Sequence, residues 1–345
     1  MKVAIIGTGG VALATAALLD RKGVSASLVS LSGQGGEALK SGQITATGAI
    51  EATVAVELAA SAGSALQDAS HVIVATSADR YASVLEGILP HLDDRHKILI
   101  SGELSQFSAV LETELRARGK APSIVGLAST LVTGRRKEGA TVQVGLIRKS
   151  LLAYSKTPSG APGSVAEWNE IVGGPLSETD SAARILLANL NPIVHAANAL
   201  CNYTRIEKGE AWSNYGGITS GVAHLLQALD AERLELGRAL GLDLASYTEN
   251  FSRANGFDAD MPLHEMALGL HEKRGGLPKG PTDPSTRYIT EDVPFGLVVL
   301  EALGAQQGIA TPITTSFISI FSAIYGRNFR EENPFLSQLD VGSGS

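Results

Sequence analysis

Val3-Ala4-Ile5-Ile6-Gly7-Thr8-Gly9-Gly10-Val11-Ala12 is the stretch that decides the fold. Four apolar residues make a buried strand, the glycines a turn, and the residues after them the first turn of a helix. The spacing is G-x-G-x-x-A. Gly7 permits a tight turn, Gly9 lets backbone approach a pyrophosphate, and small Ala12 lets the helix pack closely on the strand. Free N–H groups at the helix start attract phosphate. A glycine pattern alone is weak evidence, but between a strand and a helix it indicates a dinucleotide-binding turn. The cofactor-binding set is therefore Gly7, Thr8, Gly9, Gly10, Val11 and Ala12, extended by Ser30 and Ser32 at the end of the next strand.

Outward from this turn the first half alternates. Apolar strand-like runs at residues 26–29, 71–75, 98–100, 123–125 and 141–147 are interleaved with helix-like segments at 11–21, 78–89 and 106–118. Such alternation predicts a parallel sheet covered by helices on both faces. Residues 155–163, rich in Ser, Pro and Gly, form a surface loop. From residue 180 helical spacing dominates, at 180–190, 193–202, 221–240, 298–307 and 313–324. The expected organisation is a Rossmann α/β domain over 1–178 and an all-α substrate domain over 179–338. A Gly/Pro-rich loop at 274–285 interrupts the helices, and long irregular loops in compact domains are often functional.

The chain has 345 residues and a formal net charge of −7. That is long enough for two cores, and it argues against a nucleic-acid partner, which would call for a basic face. Cys201 is the only cysteine, so an intrachain disulfide and a cysteine-built zinc site are excluded. No apolar run approaches the ~20 residues of a membrane span, and the first residues lack a signal-like pattern. The expectation is a cytoplasmic protein without membrane, metal or nucleic-acid partners, for which a homodimer stays open. Residues 341–345, Val-Gly-Ser-Gly-Ser, are linker-like.

At the end of the second strand an NAD site would carry a carboxylate on the ribose hydroxyls. Ser30, Leu31 and Ser32 stand there instead, and the first carboxylate is Glu37. Nothing repels a 2′-phosphate, which tilts the reading to NADP(H) over NAD(H). No arginine is adjacent in sequence, and Lys40 is the nearest cation downstream. Ser30 or Ser32 bonding the ribose of NAD is the alternative.

Two stretches in the second half carry chemistry-bearing residues: Asn191-Pro192-Ile193-Val194-His195, and Arg287-Tyr288-Ile289-Thr290-Glu291-Asp292-Val293-Pro294-Phe295-Gly296. On residue type alone, His195 reads as a structural histidine, and Arg287, Glu291 and Asp292 as a charge cluster. Together with the glycine turn, however, these motifs resemble the octopine/nopaline (opine) dehydrogenase family over the whole architecture. The resemblance implies a 6-phosphogluconate dehydrogenase-like helical domain, with the active site in a cleft between the domains. It also implies reduction by a nicotinamide cofactor of the imine between an amino acid and a 2-oxo acid such as pyruvate. His195 matches the family's catalytic histidine, Asp292 its partner aspartate and Arg287 its substrate-binding arginine.

The sequence departs from the family pattern in two places. Ala196-Ala197-Asn198 replaces a proline-rich stretch, and Ser101-Gly102-Glu103 replaces a Pro-Gly turn. Asn198, nearly one turn after His195, is a candidate substrate contact or a local packing residue. Trp212 and Tyr215 either wall an amino-acid pocket or pack the core. Thr130 lies where sheet ligands bind, while Arg135 and Arg136 read as surface ion-pair formers that reach substrate or phosphate as the alternative. Two other functions compete: a ketopantoate or glycerol-phosphate type keto-group dehydrogenase, with Lys208 as its lysine, and a non-catalytic dinucleotide sensor.

Overall fold

The computed structural model describes residues 1–339, so the linker-like tail at 341–345 lies outside the described residues. The chain divides into two compact units, Met1–Leu186 and Leu187–Ser345.

The first unit is built on an eleven-stranded sheet. Its strands are β1 (Lys2–Ile6), β2 (Ser25–Val29), β3 (Gln43–Gly48), β4 (Ala52–Leu58), β5 (His71–Val74) and β6 (Lys97–Ile100). They continue with β7 (Ser123–Leu127), β8 (Val132–Arg136), β9 (Thr141–Ile147), β10 (Leu151–Ser155) and β11 (Leu176–Thr179). Helices α1 (Gly10–Asp20), α2 (Ala62–Asp68), α3 (Tyr81–Ile88), α4 (Phe107–Arg116) and α5 (Val165–Val172) are interspersed, and α6 (Ala182–Ala188) follows the last strand. The spatial order is β11-β10-β7-β6-β5-β1-β2-β4-β3-β9-β8.

The middle, from β7 to β4, is parallel throughout. This is the predicted Rossmann core, and every residue of β5 is buried, as strands covered on both faces require. The flanks differ from the all-parallel expectation. β3 pairs antiparallel with β4, β8 with β9, and β10 with β7. The connections explain two of these pairs: residues 49–51 and 137–140 are too short for a crossover and return the chain as hairpins. β3, β4, β8, β10 and β11 escape a search for apolar runs. In β3 and β4 burial alternates residue by residue, so only one face is apolar.

At the amino ends of β5 and β6, Glu167 of α5 meets His71 Nε2 and Lys97 Nζ, each at 2.9 Å. Burial works against its charge, but the Gly163 N–H, Lys97 and His71 outweigh it and hold the carboxyl down at about 2. This knot fastens α5 to the sheet.

The second unit is helical, as expected. It comprises α7 (Asn191–Cys201), α8 (Tyr203–Glu207), α9 (Ser220–Ala239), α10 (Tyr247–Asn255), α11 (Leu263–Lys273), α12 (Arg287–Thr290), α13 (Val298–Gln307) and α14 (Pro312–Tyr325). A π-helical turn, Val293–Leu297, joins α12 to α13. The long α9 organises the unit with buried charges. Asp230 bonds the Arg233 guanidinium at 2.7 Å and Tyr247 N at 2.6 Å, and Arg233 donates to the carbonyls of Leu187 and Ala245. Glu232 accepts from Ile313 N, Thr314 N and Thr314 Oγ1, capping the start of α14. No helix among the described residues is long and apolar enough to cross a membrane.

Candidate active site

The glycine turn has the geometry its residues dictate. Gly7 sits at φ +135°, and a Cβ there would strike the Ala75 carbonyl, so glycine is obligatory. Gly9 is the extended N-cap of α1 and has no side-chain cap. A Cβ added to Gly9 would meet nothing within 4 Å, so the space beside it is open. The first intrahelical bond runs from Leu13 N to Gly9 O at 3.0 Å. That leaves the N–H groups of Gly10, Val11 and Ala12 without helical partners and facing an anion's position. The open cradle and free donors fit a dinucleotide pyrophosphate.

Around the end of β2 the predicted hydroxyls converge on one residue. Thr8 Oγ1 and Ser30 Oγ donate to the Gln34 carbonyl at 2.9 and 2.7 Å, and Ser32 Oγ accepts from Gln34 N at 3.3 Å. Arg136 makes no ion pair among the described residues, which corrects the surface salt bridge expected for it. Its guanidinium instead donates to the carbonyls of Thr8, Gly35 and Gly139. Arg135 is exposed.

In the helical unit, His195 and Asp292 meet, although 97 residues separate them. His195 Nδ1 and Asp292 Oδ2 are 2.8 Å apart, and the two residues are 9% and 2% exposed. Local packing explains the encounter. A Cβ on Gly296 would collide with the Pro192 ring, so glycine lets the π-helical turn press directly on α7. Pro192 and His195 share one face of α7, and Asp292 lies one turn before Gly296. The bond to Asp292 engages Nδ1 and leaves Nε2 to work; Nε2 has no hydrogen-bond partner among the described residues. Tyr288 lies flat on the imidazole, with centroids 3.6 Å apart and planes 7° apart.

Arg287 is next to this pair, its Nη1 3.8 Å from Glu291 Oε2, with half its side chain exposed. Desolvation works against its charge, and the carboxylates of Glu291 and Asp292 more than restore it. Asn198 is fully buried. Both its amide hydrogens go to Asn214, at 2.7 Å to O and 2.7 Å to Oδ1, which leaves no donor for a substrate. Trp212 is also interior, with Nε1 on the Pro281 carbonyl at 2.7 Å and its ring against Gly217 and Gly280. Of the predicted aromatic wall, Tyr215 alone stays half-exposed, with the Arg274 guanidinium 5.4 Å from its ring centre. Thr130 belongs to the other unit, packed on Gly102 after β6. Lys208 is an exposed residue just after α8.

Residues 178–325 match the family model for the NAD/NADP octopine/nopaline dehydrogenase alpha-helical domain, and residues 3–147 match ketopantoate reductase PanE/ApbA. An opine dehydrogenase from Arthrobacter sp. (strain 1C) is 28% identical over 284 residues, 81% of this chain and 77% of that protein. An octopine dehydrogenase solved with NADH and L-arginine superposes with a TM-score of 0.76 at 20% identity, covering 94% of this chain and 90% of that one. A yersinopine dehydrogenase with NADP+ bound gives 0.73 at 18% identity, over 99% and 96%. Over its helical half the chain thus matches the octopine/nopaline (opine) dehydrogenase family, and over most of its length it is similar to an opine dehydrogenase. It is an NAD(P)-dependent oxidoreductase of the opine dehydrogenase type, acting on CH–NH bonds. The ketopantoate reductase family match stops within the dinucleotide-binding half, so the helical residues distinguish the two families.

Sequence reasoning passed over two residues of the chain. Tyr288 stands inside the quoted motif, but stacking on a histidine 93 residues away in the chain leaves no local signal. Glu103 was noted only as a departure from the family pattern. It is 4% exposed, and its Oε1 accepts from Ser108 N at 2.9 Å and Ser108 Oγ at 2.7 Å. Burial outweighs those bonds and pushes the carboxyl up to about 7. Its other oxygen rests where a Cβ of Gly126 would be.

Proposed function

We propose that the chain condenses an amino acid with a 2-oxo acid such as pyruvate and reduces the resulting imine to an N-(carboxyalkyl) amino acid. The overall change is amine plus oxo acid plus NAD(P)H plus a proton, giving secondary amine, NAD(P)+ and water. The observation that carries this reading is the buried His195–Asp292 pair beside Arg287, within the residues that match the octopine/nopaline helical domain.

Asp292 holds the Nδ1 proton and so sets the imidazole tautomer. Nε2 then takes a proton from the substrate ammonium as its nitrogen attacks C2 of the oxo acid. The same atom returns the proton to the carbinolamine hydroxyl, which leaves as water. Tyr288 keeps the ring in its plane. Arg287 grips the oxo-acid carboxylate through paired N–H donors. Tyr215, with Arg274 over its ring, borders the amino acid. A nicotinamide dinucleotide bound on Gly7–Ala12 supplies the hydride. NADP(H) is the proposed form, because β2 ends in Ser30 and Ser32 with no carboxylate to repel a 2′-phosphate. The cytoplasm is the proposed compartment, consistent with the exposed free thiol of Cys201.

The test is a matrix of amino acids against 2-oxo acids, run with NADPH and NADH. Oxidation that requires both substrates and yields a secondary amine supports the proposal. Oxidation at the same rate with the oxo acid alone would point to a keto-group dehydrogenase.

A further inference from the structure

Arg136 reaches the cofactor-binding turn from the far edge of the sheet. It is the last residue of β8, an edge strand, and β8 docks against the start of α1. A Cβ on Gly10 would strike the Gly134 carbonyl and Arg136 N, and a Cβ on Gly134 would strike the Gly10 carbonyl and the Ala14 methyl. Glycine at both positions lets strand and helix touch backbone to backbone. This contact delivers the half-buried Arg136 guanidinium into the loop after β2. Nη1 donates to Thr8 O at 2.6 Å, Nη2 to Gly35 O at 2.8 Å and Gly139 O at 3.1 Å, and Nε to Gly139 O at 3.2 Å. At Gly35, with φ +69°, a Cβ would displace Nη1 from its place in the loop. The Ser-Gly-Gln-Gly-Gly run at residues 32–36 is thus moulded around this side chain.

Every acceptor here is a neutral carbonyl. Those dipoles satisfy N–H groups but leave the positive charge without a counter-charge. No carboxylate pairs with Arg136 among the described residues, and Glu37, the first in the loop, is held by Lys40 at 2.7 Å. The hydroxyls of Thr8, Ser30 and Ser32 gather on Gln34, in the same loop. In a turn of this kind, the end of the second strand faces the adenosine 2′ position. A fixed, uncompensated guanidinium among hydroxyls there suits a dianionic phosphate, for which charge-assisted bonds are about twice as strong as those to a neutral acceptor.

We propose that Arg136 is the residue that binds the 2′-phosphate of NADP(H), with Ser32, whose hydroxyl accepts from Gln34 N, as an additional hydroxyl donor. This rests on the NADP(H) reading above and names the cation that the sequence around β2 lacks.

The test is direct binding to the full chain, by calorimetry or protein fluorescence, of NADPH, NADH, 2′,5′-ADP and ADP. The wild type is expected to favour NADPH over NADH, and 2′,5′-ADP over ADP. Arg136→Gln should weaken both 2′-phosphorylated ligands by about 10- to 100-fold. NADH and ADP should stay within about threefold, since charged hydrogen bonds to a phosphate they lack cannot be lost. Arg136→Lys, which keeps the charge without the fork, should fall between. Equal loss of all four ligands would make Arg136 a clamp on the turn and overturn the proposal. An unchanged preference in Arg136→Gln would overturn the Arg136 assignment and leave the NADP(H) reading standing. A wild type that does not discriminate in favour of the 2′-phosphate would sink that reading and the proposal with it.

Discussion

Replacing Glu103 by glutamine should change how stability depends on pH. The Glu103 carboxyl titrates at about 7 in the folded protein, against an ordinary 4.5. A carboxyl raised by folding contributes stability that is fully present below about pH 4.5 and is lost as pH rises through about 7. At about 1.36 kcal/mol per pH unit, the interval from 4.5 to about 7 amounts to about 3 kcal/mol. About 2.5 kcal/mol of this falls between about pH 5 and pH 8.5. The side-chain amide of Glu103→Gln still accepts from Ser108 through its carbonyl oxygen, but its NH2 group pressed on Gly126 costs a roughly pH-independent amount. The informative quantity is therefore the stability of wild type minus variant at each pH, from urea unfolding. That difference should move by about 2.5 kcal/mol in favour of the variant between the two pH values. Thermal midpoints should move in parallel, by roughly 5–10 °C for a unit of this size. A difference that is the same at both pH values, or that moves in favour of the wild type at high pH, would refute the argument that Glu103 is buried at a desolvation cost.

Asp292→Asn removes the charge beside His195 and replaces an acceptor-only carboxylate by an amide that can also donate to Nδ1, so the His195 tautomer is no longer fixed. Turnover on amine plus oxo acid should fall by roughly 10²–10⁴-fold, while dinucleotide binding measured by fluorescence stays unchanged. Tyr288→Phe keeps the ring against His195 and should keep kcat within about threefold. Tyr288→Ala, which loses a stacked pair worth ~0.5–1.5 kcal/mol, should cost about 2- to 10-fold in kcat with little change in thermal midpoint. Glu167, held down at about 2, stabilises the fold above about pH 4.5 and loses this as pH falls towards 2. Glu167→Gln should thus be less stable than wild type at neutral pH, with the gap closing in acid, as read by circular dichroism melts.

Elements that announce themselves locally were legible in the sequence. The turn at Gly7–Ala12 needs only adjacent residues, and β1 and β5 are unbroken apolar runs because both their faces are covered. α13 and α14 carry their own helical spacing and a clear start or stop, Gly308 ending one and Pro312 beginning the other. The flanking strands were not legible, because β3 and β4 alternate and have only one face to bury. Asn198 shows the same limit at the level of a residue. Its spacing from His195 left a substrate contact and local packing both open, and Asn214, 16 residues on, takes both its donors.

Sequence by itself therefore determined the dinucleotide turn and the helical second half, and its family resemblance nominated His195, Arg287 and Asp292 as a set. These follow from neighbouring residues and from long motifs. Only the tertiary structure decided which groups meet. Gly296 against Pro192 brings Asp292 to within 2.8 Å of His195, Tyr288 closes over the ring, and Gly10 against Gly134 brings Arg136 to the end of β2. Each contact joins residues about 90 or more positions apart, through backbone approaches that glycine permits. That information lies in packing, and no local pattern around either partner records it.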